Sequence, residues 1–287
     1  MNEIIDNAVF ARLASAAEPT WWTGTPAIDP TLFVIDGGEY REGDNPLEPS
    51  TALADRMRKT FYDVGLVHVV NTGLDDLESM RLVASQVLVK QRKYEGGANP
   101  RKSLQGNVFE VGAPLQAWLH YHHEMAYIGS STKMIGFLAH KIPSNGGATF
   151  VSDNVQATAD LLSTPFGQKL KERGLCYHRN LTDRNAFKDK VDVGVYNHWQ
   201  QSMMTEDPDE AIAEARNRGL EAEWGSDGLL KTRYTISAFE FFPQLDKNLL
   251  YSSMADDSIW FDAWPLVQHL PADQRPLKLT FGDGSEM

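Results

Sequence analysis

The chain is 287 residues long, 42% hydrophobic and 23% charged, which suits one large domain with a substantial core, or two small ones, and excludes a disordered polymer. A formal net charge of −12 argues against nucleic acid as the main partner, because phosphate binding needs clustered Lys and Arg to displace counterions. The single cysteine, Cys176, permits no internal disulfide, the opening MNEIIDNAVFARLASAAEPT carries acids where a secretory signal carries basic residues, and no apolar run nears the roughly 20 residues of a membrane span. A cytoplasmic protein without a membrane partner is expected. In chain order, Leu53, Met57 and Phe61 predict an amphipathic helix over 50–62, capped by Ser50. LVHVV after Gly65 predicts a buried strand, and Leu77, Met80, Val83, Val87 and Leu88 predict a second helix within 74–92. Segment 95–118 is rich in Gly, Pro and Asn and predicts a long loop with one brief strand, of a length that is usually functional. Extended structure follows over 117–141, as AWLHYHHEMAY and KMIGFLAHK separated by IGSST. PSNGGATFVSD predicts a turn and a short strand, with Asp153 capping a helix NVQATADLLSTPF; EDPDEAIAEARNRG predicts a helix capped by Asp207, started by Pro208 and ended by Gly219. LKTRYTISAFEFFP and RPLKLTFGDG read as strands. Many strands and few helices give a mainly β chain with helical additions (α+β), in one domain spanning 1–287, of the barrel or jelly-roll type.

The stretch LHYHHEMAY, 119–127, gathers His120, His122, His123 and Glu124. On a strand, residues i and i+2 share a face, so His122 and Glu124 project together, with His120 in the same row and His123 on the other side. One imidazole and one carboxylate can then reach a single ion. A further histidine from elsewhere would complete a two-histidine, one-carboxylate facial triad, which leaves positions on iron(II) open for co-substrate and oxygen. A plainer account is a polar strand face on which half-exposed histidines cluster by chance, since H-x-E is a short pattern.

The run YEGGANPRKSLQGNVFEVGAPLQAWLHYHHEMAY, followed by GFLAHKIPSNGGATFVSDN, resembles the iron(II) and 2-oxoglutarate dependent dioxygenases of the taurine dioxygenase and clavaminate synthase superfamily. The branch that includes the syringomycin-biosynthesis hydroxylase is the most similar. It shows a proximal H-x-E and then G-G-x-T-x-x-x-D, here His122 to Glu124 and Gly146, Gly147, Ala148, Thr149 and Asp153. YHRNL, NHWQQSMMTEDPDEA, EWGSDGLLKTRY and FGDGSEM resemble later stretches, so the likeness covers nearly the whole chain.

The resemblance implies a double-stranded β-helix (jelly roll), with His122 and Glu124 as iron ligands and catalytic residues and Thr149 hydrogen-bonded to a carboxylate of 2-oxoglutarate. Fe(II), 2-oxoglutarate as co-substrate and O2 are the implied cofactors. On propensity alone Thr149 is an ordinary strand threonine. Glu124, where related halogenases carry a small residue, implies hydroxylation or desaturation of a small molecule, an amino acid or an amino-acid-derived natural-product intermediate, free or tethered to a carrier domain. A homo-oligomer is compatible with this. The family also implies a distal iron histidine in D-N-x-x-x-H-G-R and an arginine for the far carboxylate of 2-oxoglutarate. The expectation is that this C-terminal segment and the closing strands lie outside the 287 residues, with His269 and then His120 the internal candidates if they do not. The competing expectations are a non-catalytic jelly-roll binding protein, an inactive fragment lacking the third ligand, or a different metalloenzyme using His120, His122 and Glu124. Elsewhere, Trp21 and Trp22 read as packing residues, MADDSIWFD lacks the pattern of a calcium loop, and Cys176 reads as a buried thiol.

Overall fold

The structure is a computed structural model that describes residues 29–40, 45–97, 101–110, 121–129, 132–142, 144, 149–186, 198–253, 271 and 275–287. It divides into two compact units, one of Met1–Arg92 with Met134–Phe150, the other of Lys93–Lys133 with Val151–Met287. The expected stretches Trp21–Trp22 and MADDSIWFD lie outside the described residues, as do His120 and His269.

In the first unit, strand β1 (Val34–Asp36) pairs in parallel with β2 (His68–Val70), and helices α1 (Ala52–Val64) and α2 (Leu77–Ser85) accompany them. The expected spacing holds: Leu53 and Met57 are buried with Ile35 and Val83 in one apolar cluster. The cap falls on Thr51, not Ser50, its hydroxyl accepting the Ala54 N–H at 3.2 Å. Helix α2 is shorter than 74–92 because Asp76 accepts the Ser79 N–H and fixes its start, and the ladder ends at Gln86. Arg58 bridges the helices, donating to the carbonyls of Gln86 at 3.0 Å and Pro49 at 2.6 Å.

The second unit is built on an antiparallel sheet of order β10–β5–β7–β6, where β5 is Leu175–Leu181, β6 Glu221–Trp224, β7 Leu230–Ile236 and β10 Leu277–Phe281. Central strand β5 is buried along almost its whole length, as a strand covered on both faces should be. Alternation puts Leu175, Tyr177, Arg179 and Leu181 on one face. Leu175 and Tyr177 join Ala126, Leu170, Ala238, Tyr251 and Phe281 in one core cluster, and Leu181 joins Trp199, Met203, Ala211, Ala215, Leu220 and Leu230 in another. Between them the buried Arg179 guanidinium donates to the Gly96 carbonyl and the Ser202 hydroxyl, both at 3.1 Å, and lies over the Tyr127 ring. Cys176 is a buried free thiol, as expected.

Around the sheet stand two hairpins, β3 (Ser103–Gln105) with β4 (Val108–Phe109) and β8 (Phe239–Phe242) with β9 (Lys247–Leu250), and helices α3 (Asn154–Leu162), α4 (Pro165–Arg173), α5 (Trp199–Met203) and α6 (Pro208–Asn217). Asp153 and Asp207 cap α3 and α6 as the sequence predicts, each accepting two backbone N–H groups. NVQATADLLSTPF is not one helix: Pro165 cannot donate back into α3, and Thr164 instead caps α4 by accepting the Gly167 N–H. Among its described residues the 95–118 stretch holds two short strands where one was expected. LKTRYTISAFEFFP and RPLKLTFGDG supply β7, β8 and β10, so the architecture is mixed, sheets with a few helices.

Candidate metal centre

The H-x-E pair does not sit on a strand. Tyr121 lies in a bend, His122 and His123 have no regular structure and 124–129 form turns, with Met125 at a φ of +60°. The stretch KMIGFLAHK, 133–141, likewise has no ladder partner among the described residues. What fixes the turn is the core beneath it. Ala126 is buried in the first cluster and Tyr127 packs against it. The His123 backbone donates to the Ser252 carbonyl at 3.0 Å, and its Nδ1 stands 3.0 Å from the same oxygen. Tyr251 lies against the His123 ring, and its hydroxyl receives the Thr132 N–H at 2.8 Å. Burial holds the His123 imidazole below its ordinary pKa, aided by the nearby His122 and Lys133, against the pull of Ser252. His123 is thus a structural anchor, tied to Ser252 and Tyr251. Gly129 closes the turn at φ +74°, where a Cβ would stand 2.1 Å from the Arg218 carbonyl oxygen; only glycine fits.

This turn brings His122 Nε2 to 3.9 Å from Glu124 Oε2. Imidazole and carboxylate donors bind divalent metals at about 2.1 Å, so two atoms at this separation can share one ion after a closure of less than roughly 1 Å. The donor set, one borderline nitrogen and one hard oxygen, suits iron(II). Glu124 is the more enclosed of the two, 16% exposed against 32% for His122, and therefore needs a counter-charge in the absence of metal. Arg101 supplies it: Nη2 donates to Glu124 Oε1 at 3.0 Å. The guanidinium carbon in turn lies 4.4 Å above the centre of the Tyr94 ring. Sequence reasoning missed Arg101, because one basic residue in the loop NPRKS has no spacing that ties it to Glu124.

Among the described residues no group of three His, Cys, Asp or Glu side chains is placed to hold a metal. His120 and His269, the internal candidates for a third ligand, lie outside them. His178 and His198 are engaged elsewhere, with Thr280 and Thr182 respectively, each at 3.0 Å. Thr149 belongs to the first unit, where it is exposed in a stretch without regular structure; Gly146, Gly147 and Ala148 lie outside the described residues. No helix among the described residues is long and apolar enough to cross a membrane.

No protein-family model matches the chain. It is 28% identical over 198 residues to a clavaminate synthase-like protein of Arabidopsis thaliana, a match covering 68% of this chain and 57% of the relative. It is 24% identical over 217 residues to the dapdiamide synthesis protein DdaC of Enterobacter agglomerans, covering 74% of this chain and 63% of the relative. Both matches support the clavaminate synthase-like superfamily. At this identity they point to that class of enzymes without assigning the chain to a family or to a branch within it. The matched region spans less than two thirds of either relative's length.

Proposed function

We propose that the protein is an iron(II)- and 2-oxoglutarate-dependent oxygenase with a jelly-roll core, which hydroxylates or desaturates a small amino-acid-derived molecule. The observation that carries this is the convergence of His122 Nε2 and Glu124 Oε2 to 3.9 Å on a turn rooted in the core. The similarity to a clavaminate synthase-like protein and to a dapdiamide synthesis protein supports the same class. The iron, when bound, supplies the coupling of 2-oxoglutarate decarboxylation to substrate oxidation by O2. The chain's own residues do the rest. His122 in its neutral form and Glu124 in its ionised form would supply two donor atoms to one ion, the remaining positions being for co-substrate and a further protein donor. The Thr149 hydroxyl is the proposed donor to a 2-oxoglutarate carboxylate. The loop carrying β3 and β4 brings Arg101 against Glu124 and is the proposed lid. The intact Glu124 carboxylate favours hydroxylation or desaturation over halide transfer.

The test is spectroscopic. Under anaerobic conditions, the protein with iron(II) and 2-oxoglutarate is expected to show a weak visible charge-transfer band that His122→Ala lacks. Identical spectra of the two at saturating iron sink the assignment.

A further inference from the structure

Resting on the metal reading above, we propose that Arg101 is the positioning residue of the pair: it holds one oxygen of Glu124 so that the other is presented to the metal beside His122. The two carboxylate oxygens have divided surroundings. Oε1 accepts from Arg101 Nη2 at 3.0 Å, while Oε2 is the oxygen 3.9 Å from His122 Nε2. A carboxylate held this way binds a metal through one oxygen, and an outer donor of this kind sets the plane in which that oxygen lies.

Arg101 is itself oriented by little else. Its ring of charge lies on the Tyr94 face at 4.4 Å, and Tyr94 packs in turn against Phe109 of β4. Its Nε is buried without a hydrogen-bond partner among the described residues, and its side-chain hydrogen bond among them goes from Nη2 to Glu124. The hairpin that follows is closed at its base by the Glu110 N–H on the Lys102 carbonyl at 2.9 Å, which fixes the backbone next to Arg101. Upstream, buried Arg179 ties down Gly96. The loop is therefore anchored on both sides of Arg101.

A guanidinium near a cation site also repels the cation, and the experiment decides which effect wins. Mn(II), a redox-silent stand-in, is titrated into wild type, Arg101→Met, Arg101→Lys and His122→Ala, and the Co(II) visible spectrum of each is recorded at saturation together with the metal-free melting temperature. Positioning predicts that Arg101→Met binds Mn(II) about 10–100-fold more weakly. It also predicts altered Co(II) bands at saturation, which a merely structural loss of stability would not produce. Arg101→Lys should recover part of the affinity but not the wild-type Co(II) spectrum, because an ammonium is a point charge that does not set the carboxylate plane. Arg101→Met with wild-type or tighter affinity and unchanged Co(II) bands overturns the inference, as does Arg101→Lys indistinguishable from wild type in both measurements. If His122→Ala also binds Mn(II) like wild type, the metal reading itself falls; if it loses the metal while Arg101→Met does not, only the role of Arg101 falls.

Discussion

His122 and Glu124 are separated by one residue, and that spacing makes the pair legible without making its backbone legible. A strand brings i and i+2 to one face by pleating, and a turn with a left-handed residue beside it does the same by curling. The sequence points to the pair; only the structure distinguishes the two routes, through Met125 at φ +60° and the Ser252 contacts of His123. Arg101 was illegible because its link to Glu124 spans 23 positions and rests on a loop whose course no periodicity encodes. The ion pair also makes a prediction for the metal-free protein. Breaking a buried pair from one side costs about 3–5 kcal/mol, and the partial exposure of Glu124 and Arg101 reduces this to roughly 1–3 kcal/mol for Glu124→Ala. Glu124→Gln keeps an acceptor for Arg101 and should cost less. Urea midpoints of the metal-free variants check the order; a destabilisation by the glutamine variant as large as that by the alanine variant would show that shape, not pairing, holds the loop.

At the scale of elements, the helices were the readable part, because their ends are written in side chains. Asp153 and Asp207 sit where a short carboxylate can take free N–H groups, and Pro208 starts α6 at the position where its missing donor is harmless. The break between α3 and α4 was present in the sequence as Ser163, Thr164 and Pro165, a cap followed by a proline, but apolar spacing continues across it and hides it. Strand β5 was the hardest to read: LCYHRNL is buried on both faces while containing His178, Arg179 and Asn180, and its burial comes from partners about 50–60 residues away in β7 and about 100 away in β10. The legible cap gives a prediction. Asp207 accepts the N–H groups of Asp209 at 2.8 Å and Glu210 at 3.2 Å, and Asp207→Ala should lower stability by about 0.5–2 kcal/mol. Because α6 packs Ala211 and Ala215 into the second cluster, the loss should appear in global unfolding and not only as local fraying; a global midpoint equal to wild type refutes the coupling of cap to core.

For the whole molecule, the acidic composition and the buried imidazoles oppose each other as pH falls. Lowering pH towards the carboxylate range relieves self-repulsion in a chain of net charge −12, which favours the folded state. His68, His178 and His198 act the other way. Burial is the main cause in each, and it holds all three imidazoles below the ordinary value near 6.5; at His178 the charges of Arg233 and Lys278 add to it, and at His198 that of Arg184. A group with a depressed folded pKa binds its proton more readily in the unfolded chain, so its contribution is complete above the unfolded value and is lost as pH drops through the folded one. Between pH 7.5 and 5.5 most exposed carboxylates are still ionised, the relief of repulsion is small, and these three neutral imidazoles, together with that of His123, must be given up. Stability is therefore expected to fall across this interval, before acid titration of the carboxylates begins. His178 is the informative site to remove, since its Nε2 contact with Thr280 lies within the central sheet and can be kept in part by glutamine. Urea unfolding at steps of pH should show a declining midpoint for wild type and a shallower decline for His178→Gln. A wild-type midpoint that is flat or rises on acidification across this range would mean that charge relief, and not histidine burial, governs the molecule's response to pH.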